Sequence, residues 1–252
     1  VFAALTFSSL MFAQNRFFTD AGENRTVQTT GQRVIIPQKF RTSSMDVQAM
    51  KNFLWSLPSE RAIIANRNLS PVIELPMPDG QMARFRIWES SIQEPALQAK
   101  FPDIRTFAGQ GIDDPYASIR LDYSPDAGFH GQILSHVKGR VFIDPYARGD
   151  VSNYVSYFTK DYGTRAPFNC EVTEYAEPLP RIEAGPCRGT QLYTYRLAVA
   201  NTNEYAAAVG GTTDALLHAA IVTAVNRVVG VYETELAIRM VLVANNDLVE
   251  FT

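Results

Sequence analysis

Apolar and polar positions change rhythm along this chain. Polar residues run from about Asn15 to Arg41, interrupted by Val34–Ile36 ahead of Pro37. Ser43–Leu57 then spaces Val47, Met50, Phe53, Leu54 and Leu57 onto one side, which predicts a short amphipathic helix capped by Ser44 and stopped by Pro58. Val72–Leu75 and Met82–Trp88 follow as strands around the turn residues Pro76–Gly80. In the second of these, Phe85, Ile87 and Glu89 alternate with Arg84, Arg86 and Trp88. Pro95–Ile104 predicts a short helix broken by Pro102, and Gly109-Gln110-Gly111 a loop. Ala117–Tyr123 and Phe129–Leu134 bracket a second turn at Ser124–Gly128, and Arg140–Ile143 and Tyr154–Phe158 add two further strands. No internal repeat is present. One β-rich domain with a few short helices is the expectation for this region.

The rhythm changes after about residue 190. Leu192–Ala200 is rich in β-formers. Asp214–Leu236 carries Leu217, Ile221, Val225, Val228 and Tyr232 at helical spacing behind a Thr213 or Asp214 cap. Ile238–Ala244 is almost continuously apolar, as for a strand covered on both faces. Strand, helix, strand predicts a right-handed βαβ unit with parallel strands. Two strands and a helix cannot close a core, so this unit is expected to open a larger α/β domain. The fold class expected is α+β, a β-rich region followed by the first β-α-β unit of an α/β domain.

The segment between the two rhythms is Pro- and Gly-rich. Tyr175–Gly189 holds Pro178, Pro180, Gly185, Pro186 and Gly189, an extended linker and a domain boundary. Arg181 and Arg188 make it a plausible site for a processing protease, which needs accessible backbone. At the other end, Val1–Ala13 carries no charge and is too short to span a bilayer as a helix, so it is read as the remnant of an export signal ending near Ala13 or Gln14. No other stretch is read as a membrane span. The expected organisation is therefore a signal remnant over 1–14, a β-rich domain over 15–174, a linker over 175–190 and an α/β unit over 191–252. With 46% hydrophobic residues the chain can bury a core, and its net charge of −3 in mixed signs disfavours nucleic acid or an anionic membrane as partner.

Candidate chemistry is sparse. His130, His136 and His218 form no H-E-x-x-H pattern and read as surface or packing residues. Gly210-Gly211 precedes the long helix without a lysine, so a phosphate site there is weak, and Asp113-Asp114 and Asp144 lie beside prolines and read as turns. Trp88 and Tyr146, if exposed, would suit an exported binding or adhesion module; as core residues they would not. Cys170 and Cys187 flank the linker. They can form one disulfide, stabilising by about 3 kcal/mol in the chain-entropy model. Alternatively, Cys170 can act alone: a thiolate in the open position of a catalytic zinc displaces the water that position is kept for.

The segment from Thr194 to Asp247 resembles the opening of the catalytic domain in bacterial reprolysin-like (adamalysin-type) zinc metalloproteases, a branch of the metzincins. The resemblance rests on Tyr195-Arg196-Leu197-Ala198, Glu204-Tyr205, Asn226-Arg227-Val228, Val231-Tyr232-Glu233 and Val241–Asp247. Upstream, Pro167-x-x-Cys170-x-Val172-Thr173 is similar to the cysteine-switch motif of that family's prodomains. The resemblance implies a secreted precursor of a zinc endopeptidase acting on protein or peptide substrates, opened by an activating protease. Cys170 would be the latency ligand to zinc. The family's H-E-x-x-H-x-x-G-x-x-H helix and Met-turn do not occur in these residues, so no catalytic residue carries over and this stretch alone should be inactive.

Overall fold

The computed structural model describes residues 17–163 and 191–252. Nine strands form one antiparallel sheet: β1 (Phe18–Glu23), β2 (Arg41–Met45), β3 (Val72–Pro76), β4 (Met82–Glu89), β5 (Arg105–Gly111), β6 (Ser118–Ser124), β7 (Gly128–Ser135), β8 (Gly139–Pro145) and β9 (Asn153–Phe158). Their order is β1-β2-β9-β8-β7-β6-β5-β4-β3. The sheet curls until its two edge strands, β1 and β3, touch. Strand alternation sorts the side chains. Ile119, Leu121 and Tyr123 of β6 point into the concave core with Phe107, Phe129, Ile133, Val141 and Ile143. Helix α1 (Val47–Trp55) contributes Met50 and Leu54 to the same core, and short helices α2 (Glu60–Ile63) and α3 (Pro95–Lys100) lie in the β2–β3 and β4–β5 connections. The β-rich expectation is met.

Several local expectations are corrected. Ser43 and Ser44 lie in β2, and the cap of α1 is Asp46, whose carboxylate accepts from Ala49 N at 2.9 Å. Ser44 cannot cap because its backbone already pairs with β1 and β9. The polar stretch before it forms β1, whose long-range pairing local composition does not reveal. Gly109-Gln110-Gly111 is the end of β5, paired with β4. Glycine fits there because a Cβ on Gly109 would lie 2.6 Å from Arg86 O and 2.7 Å from Ile87 Cγ2.

The C-terminal segment forms β10 (Tyr193–Leu197), α4 (Asn203–Val209), α5 (Asp214–Leu236) and β11 (Ile238–Leu242). Strands β10 and β11 are parallel, Tyr193 opposite Ile238 through Leu197 opposite Leu242, as the strand–helix–strand pattern predicts. Thr213 caps α5, accepting from Leu216 N at 3.3 Å. Ala237 turns the chain out of α5 at φ 54°. Length and composition alone would let α5 cross a bilayer, yet here it is a layer of the fold, between the curled sheet and the parallel pair.

The buried apolar face of α5 is Leu217, Ile221, Val222, Val225 and Val229; Val228 and Tyr232, expected in that stripe, are exposed. The stripe is displaced because α5 is covered on two sides. Its apolar side meets Leu242 of β11 and Ile92, Leu97 and Ile104, which flank or belong to α3 (Pro95–Lys100). Its other side meets β6 and β7. The strand β11 is also tied to the sheet domain, through Leu242 N donating to Ile92 O (2.7 Å) and Glu94 N donating to Leu242 O (2.9 Å). The other strand, β10, keeps Tyr193 and Tyr195 more than half exposed.

Gly109→Ala should destabilise the protein by about 1–3 kcal/mol, because β4 must move to admit the methyl group. Urea unfolding of the two proteins measures it; an unchanged midpoint would mean that the strand interface can yield.

Candidate functional site

The convex face of β6, β7 and β8 presents Arg120, Asp122, His130, Gln132 and Asp144, and α5 lies across it. Alternation alone would assign these residues to solvent. Instead Arg120, Asp122, Gln132 and Asp144 are buried, and α5 meets them with Thr223, Asn226, Arg227, Gly230 and Glu233. Spacing by three and four residues keeps those five on one side of the helix.

Three clusters run along this seam. At the C-terminal end of α5, Glu233 bridges Arg120 and Arg239. Arg239 continues to Glu60, with Nη1 donating to Oε2 at 2.7 Å and Nη2 to Oε1 at 3.1 Å. Ser90 Oγ and Arg67 Nη2 complete the Glu60 shell at 3.1 and 3.3 Å. A cavity of about 230 Å³ opens beside this network, with Trp88 and Gln132 in its wall. In the middle, Asp122 collects Thr223 Oγ1 (2.6 Å) and His130 Nδ1 (3.0 Å) on Oδ2, while Asn226 Nδ2 donates to Leu121 O at 2.9 Å. Beside them, Asp144 accepts from Tyr157 Oη at 2.9 Å and pairs with Arg227, whose guanidinium lies 4.7 Å over the Phe142 ring.

Burial sets the electrostatics. It pulls the Arg120 guanidinium below its ordinary value against the opposing pull of Glu233. Burial raises the Glu60 carboxyl, but hydrogen bonds and charge from Arg239 outweigh it and leave Glu60 below its usual range. For Arg227, burial is overcome by the charge of Asp144, and the guanidinium is held above its usual value. Burial and the Asp144 charge raise the Tyr157 phenol. These groups work as partners fixed in place, which gives geometry and specificity more than net stability.

His218 bridges the two parts elsewhere. Fully buried, it stacks on Phe101 at 4.1 Å and lies between Glu250 Oε1 (Nδ1, 2.9 Å) and Gln93 Oε1 (Nε2, 2.7 Å). It is a packing histidine, as the sequence suggested, but with both ring nitrogens engaged. His130 is partly buried in the Asp122 cluster, and His136 is exposed at the β7–β8 turn. Trp88 and Tyr146 are buried rather than exposed, and Trp88 lines the cavity beside Glu60. Gly210 takes the left-handed conformation that ends α4, and Gly211 packs on Leu217, which accounts for both glycines at the α4–α5 corner. Asp144, read as a turn, sits in β8 as a buried partner of Arg227; the adjacent proline hid that role. Cys170, Arg181 and Arg188 lie outside the described residues, as does Cys187. The buried charge pairs were missed because each residue type looks solvated on its own strand or helix. Only the recurrence of Thr223, Asn226, Arg227, Gly230 and Glu233 at helical spacing could have shown a second, polar docking face.

Glu233→Gln should cost about 3–5 kcal/mol, because it removes the carboxylate charge that offsets burial of the Arg120 guanidinium. Denaturant unfolding checks the size; a cost below 1 kcal/mol would mean that water reaches Arg120. Glu60, held below its free-chain value, contributes stability that is complete above the ordinary glutamate range and is lost as pH falls through its lower folded value. Glu60→Gln should therefore flatten the loss of unfolding free energy between about pH 6 and about pH 3.

No family model, curated protein or solved structure matches this chain.

Proposed function

We propose that this chain is the front part of a secreted zinc metalloendopeptidase precursor, in which the curled β domain is the prodomain and β10–α5–β11 opens the catalytic domain. The observation that carries this reading is the character of the α5 seam. A helix that belonged permanently to the sheet would meet it through apolar side chains. This one meets it through charges and hydrogen bonds, the composition of interfaces between parts that separate. The parallel pairing of β10 and β11 agrees with the resemblance in residues 194–247. The largely exposed β10 agrees with a sheet that further residues extend.

On this reading the prodomain restrains the enzyme twice. The seam holds α5, and Cys170, ahead of the linker, occupies the zinc position that a water would otherwise take. Cutting near Arg181 or Arg188 frees both. The zinc ligands and the base that acts on the zinc-held water would come from residues downstream of Thr252, and the substrates would be proteins or peptides.

Translation of the reading frame beyond Thr252 should show an H-E-x-x-H helix within roughly a hundred residues, a distance set by ordinary α/β domain sizes. Its absence would end the enzyme reading. In the extended protein, Cys170→Ser should give zinc-dependent peptide hydrolysis before the linker is cut, while the unchanged precursor stays silent. Thiol titration that finds Cys170 joined to Cys187 would remove the switch.

A further inference from the structure

A wider cavity lies at the N-terminal end of the same seam. It holds about 760 Å³, within the range of roughly 300–1,000 Å³ typical of small-molecule sites. Two separate parts of the molecule form it. One wall is α4 and the first half of α5, with Val209, Leu216 and Ala220; the other is the sheet side, with Val34, Ile35 and Ala127. The walls are therefore apolar, and the polar groups gather on the floor at His130, Asp144 and Arg227.

The floor has a defined set of open valences. Both acidic groups there are satisfied: Asp122 by His130, Thr223 and Asn226, and Asp144 by Tyr157 and Arg227. What remains is nitrogen. His130 uses Nδ1 on Asp122, and its Nε2 has no hydrogen-bond partner among the described residues and is not enclosed by protein. Arg227 uses Nη2 on Asp144, and the same holds for its Nη1. At the rim, Arg148 donates to Ala208 O, and Asp126 is exposed to solvent.

We propose that this groove binds a medium-chain alkyl carboxylate. Its head group would accept from Arg227 Nη1 and lie beside the His130 imidazole, and its chain would run between Val34–Ile35 and Val209–Leu216. A ligand with a cationic head would meet the Arg227 guanidinium on the floor; Asp126, the lining carboxylate left open, lies at the exposed rim. A neutral alcohol could make one bond to the imidazole but would leave the guanidinium unmet. Because the two walls come from opposite sides of the α5 seam, an occupant stabilises the docked arrangement by mass action. The assignment stands whether or not the chain belongs to a protease precursor.

Dodecanoate, kept below its micelle concentration, is the probe, with calorimetry and thermal unfolding of the full chain as readouts. One dodecanoate per chain should bind and raise the unfolding midpoint. Dodecanol should bind at least about tenfold more weakly, the loss expected for a hydrogen-bonded charged contact, and dodecyltrimethylammonium should not bind. Ala224→Phe, at an exposed α5 position lining the groove, should abolish binding with the midpoint of the free protein nearly unchanged. His130→Gln should weaken dodecanoate about tenfold and dodecanol less. No binding of dodecanoate overturns the proposal, as does equal affinity for the alcohol or binding that survives Ala224→Phe. Should Ala224→Phe fail to fold, the ranking of the three head groups and the His130→Gln effect decide by the same criteria.

Discussion

The arrangement of this molecule depends on charge buried between a helix and the outside of a curled sheet. Arg120 and Asp144 are almost wholly removed from water, and α5 returns Glu233 to the first and Arg227 to the second. Each pair is tolerable only as a pair, because an isolated buried charge costs several kcal/mol. The consequence is a strict register. A helix slid by one turn along this face would set Glu233 and Arg227 against the wrong partners, whereas an apolar stripe would accept the shift at small cost. The seam therefore specifies one docked position without binding as tightly as a continuous apolar interface of the same area.

That specificity is assisted by an apolar anchor. On the far side of α5, Leu217, Ile221, Val225 and Val229 pack with Leu242, Ile92, Leu97 and Ile104. Segment 92–104 belongs to the sheet domain by sequence and to the α5 core by contact, so the two parts share hydrophobic material at one edge only. His218, buried against Phe101 and held by Gln93 and Glu250, sits at that edge. The sheet domain retains a core of its own inside the curl, built from Leu121, Phe129, Ile143 and their neighbours, to which α5 contributes nothing. Loss of the docked arrangement would expose the polar groups of the seam and the apolar groups shared with Ile92, Leu97 and Ile104, and it would leave that inner core intact.

Much of the fold was legible because local rules and tertiary structure agreed. Strands β3, β4, β6, β7, β8 and β9 fall where alternation and the glycine turns at Gly80 and Gly128 place them. For α5 both ends match, since Thr213 and the apolar period act locally. Strands β1 and β2 were not legible, because their residues are polar and become strands only by long-range pairing, β2 with β9 at the far end of the domain and β1 with β2. The site was the least legible part. Arg120 and Asp122 alternate with Ile119 and Leu121, a pattern that normally puts charge in water. Nothing local reveals that a helix about a hundred residues later covers them.

The same covering explains why the groove sits where it does. Moving along α5 from Glu233 toward Thr213, the residues facing the sheet pass from the ion-paired Glu233 and Arg227 to Thr223 and Ala220. Ion pairs hold helix and sheet together at one end, and small side chains line a space at the other. Gly230 sharpens the contrast, since a Cβ there would come within 2.8 Å of Gln132 Oε1 and 2.9 Å of Arg120 Cγ. The helix is thus clamped at its C-terminal half and stands off at its N-terminal half. The last charged group before the gap, Arg227, has one face committed to Asp144 and another toward open space. Fixed register and open groove therefore occupy the two ends of a single helix face, one closed by ion pairs and a glycine, the other left open where the pairs stop.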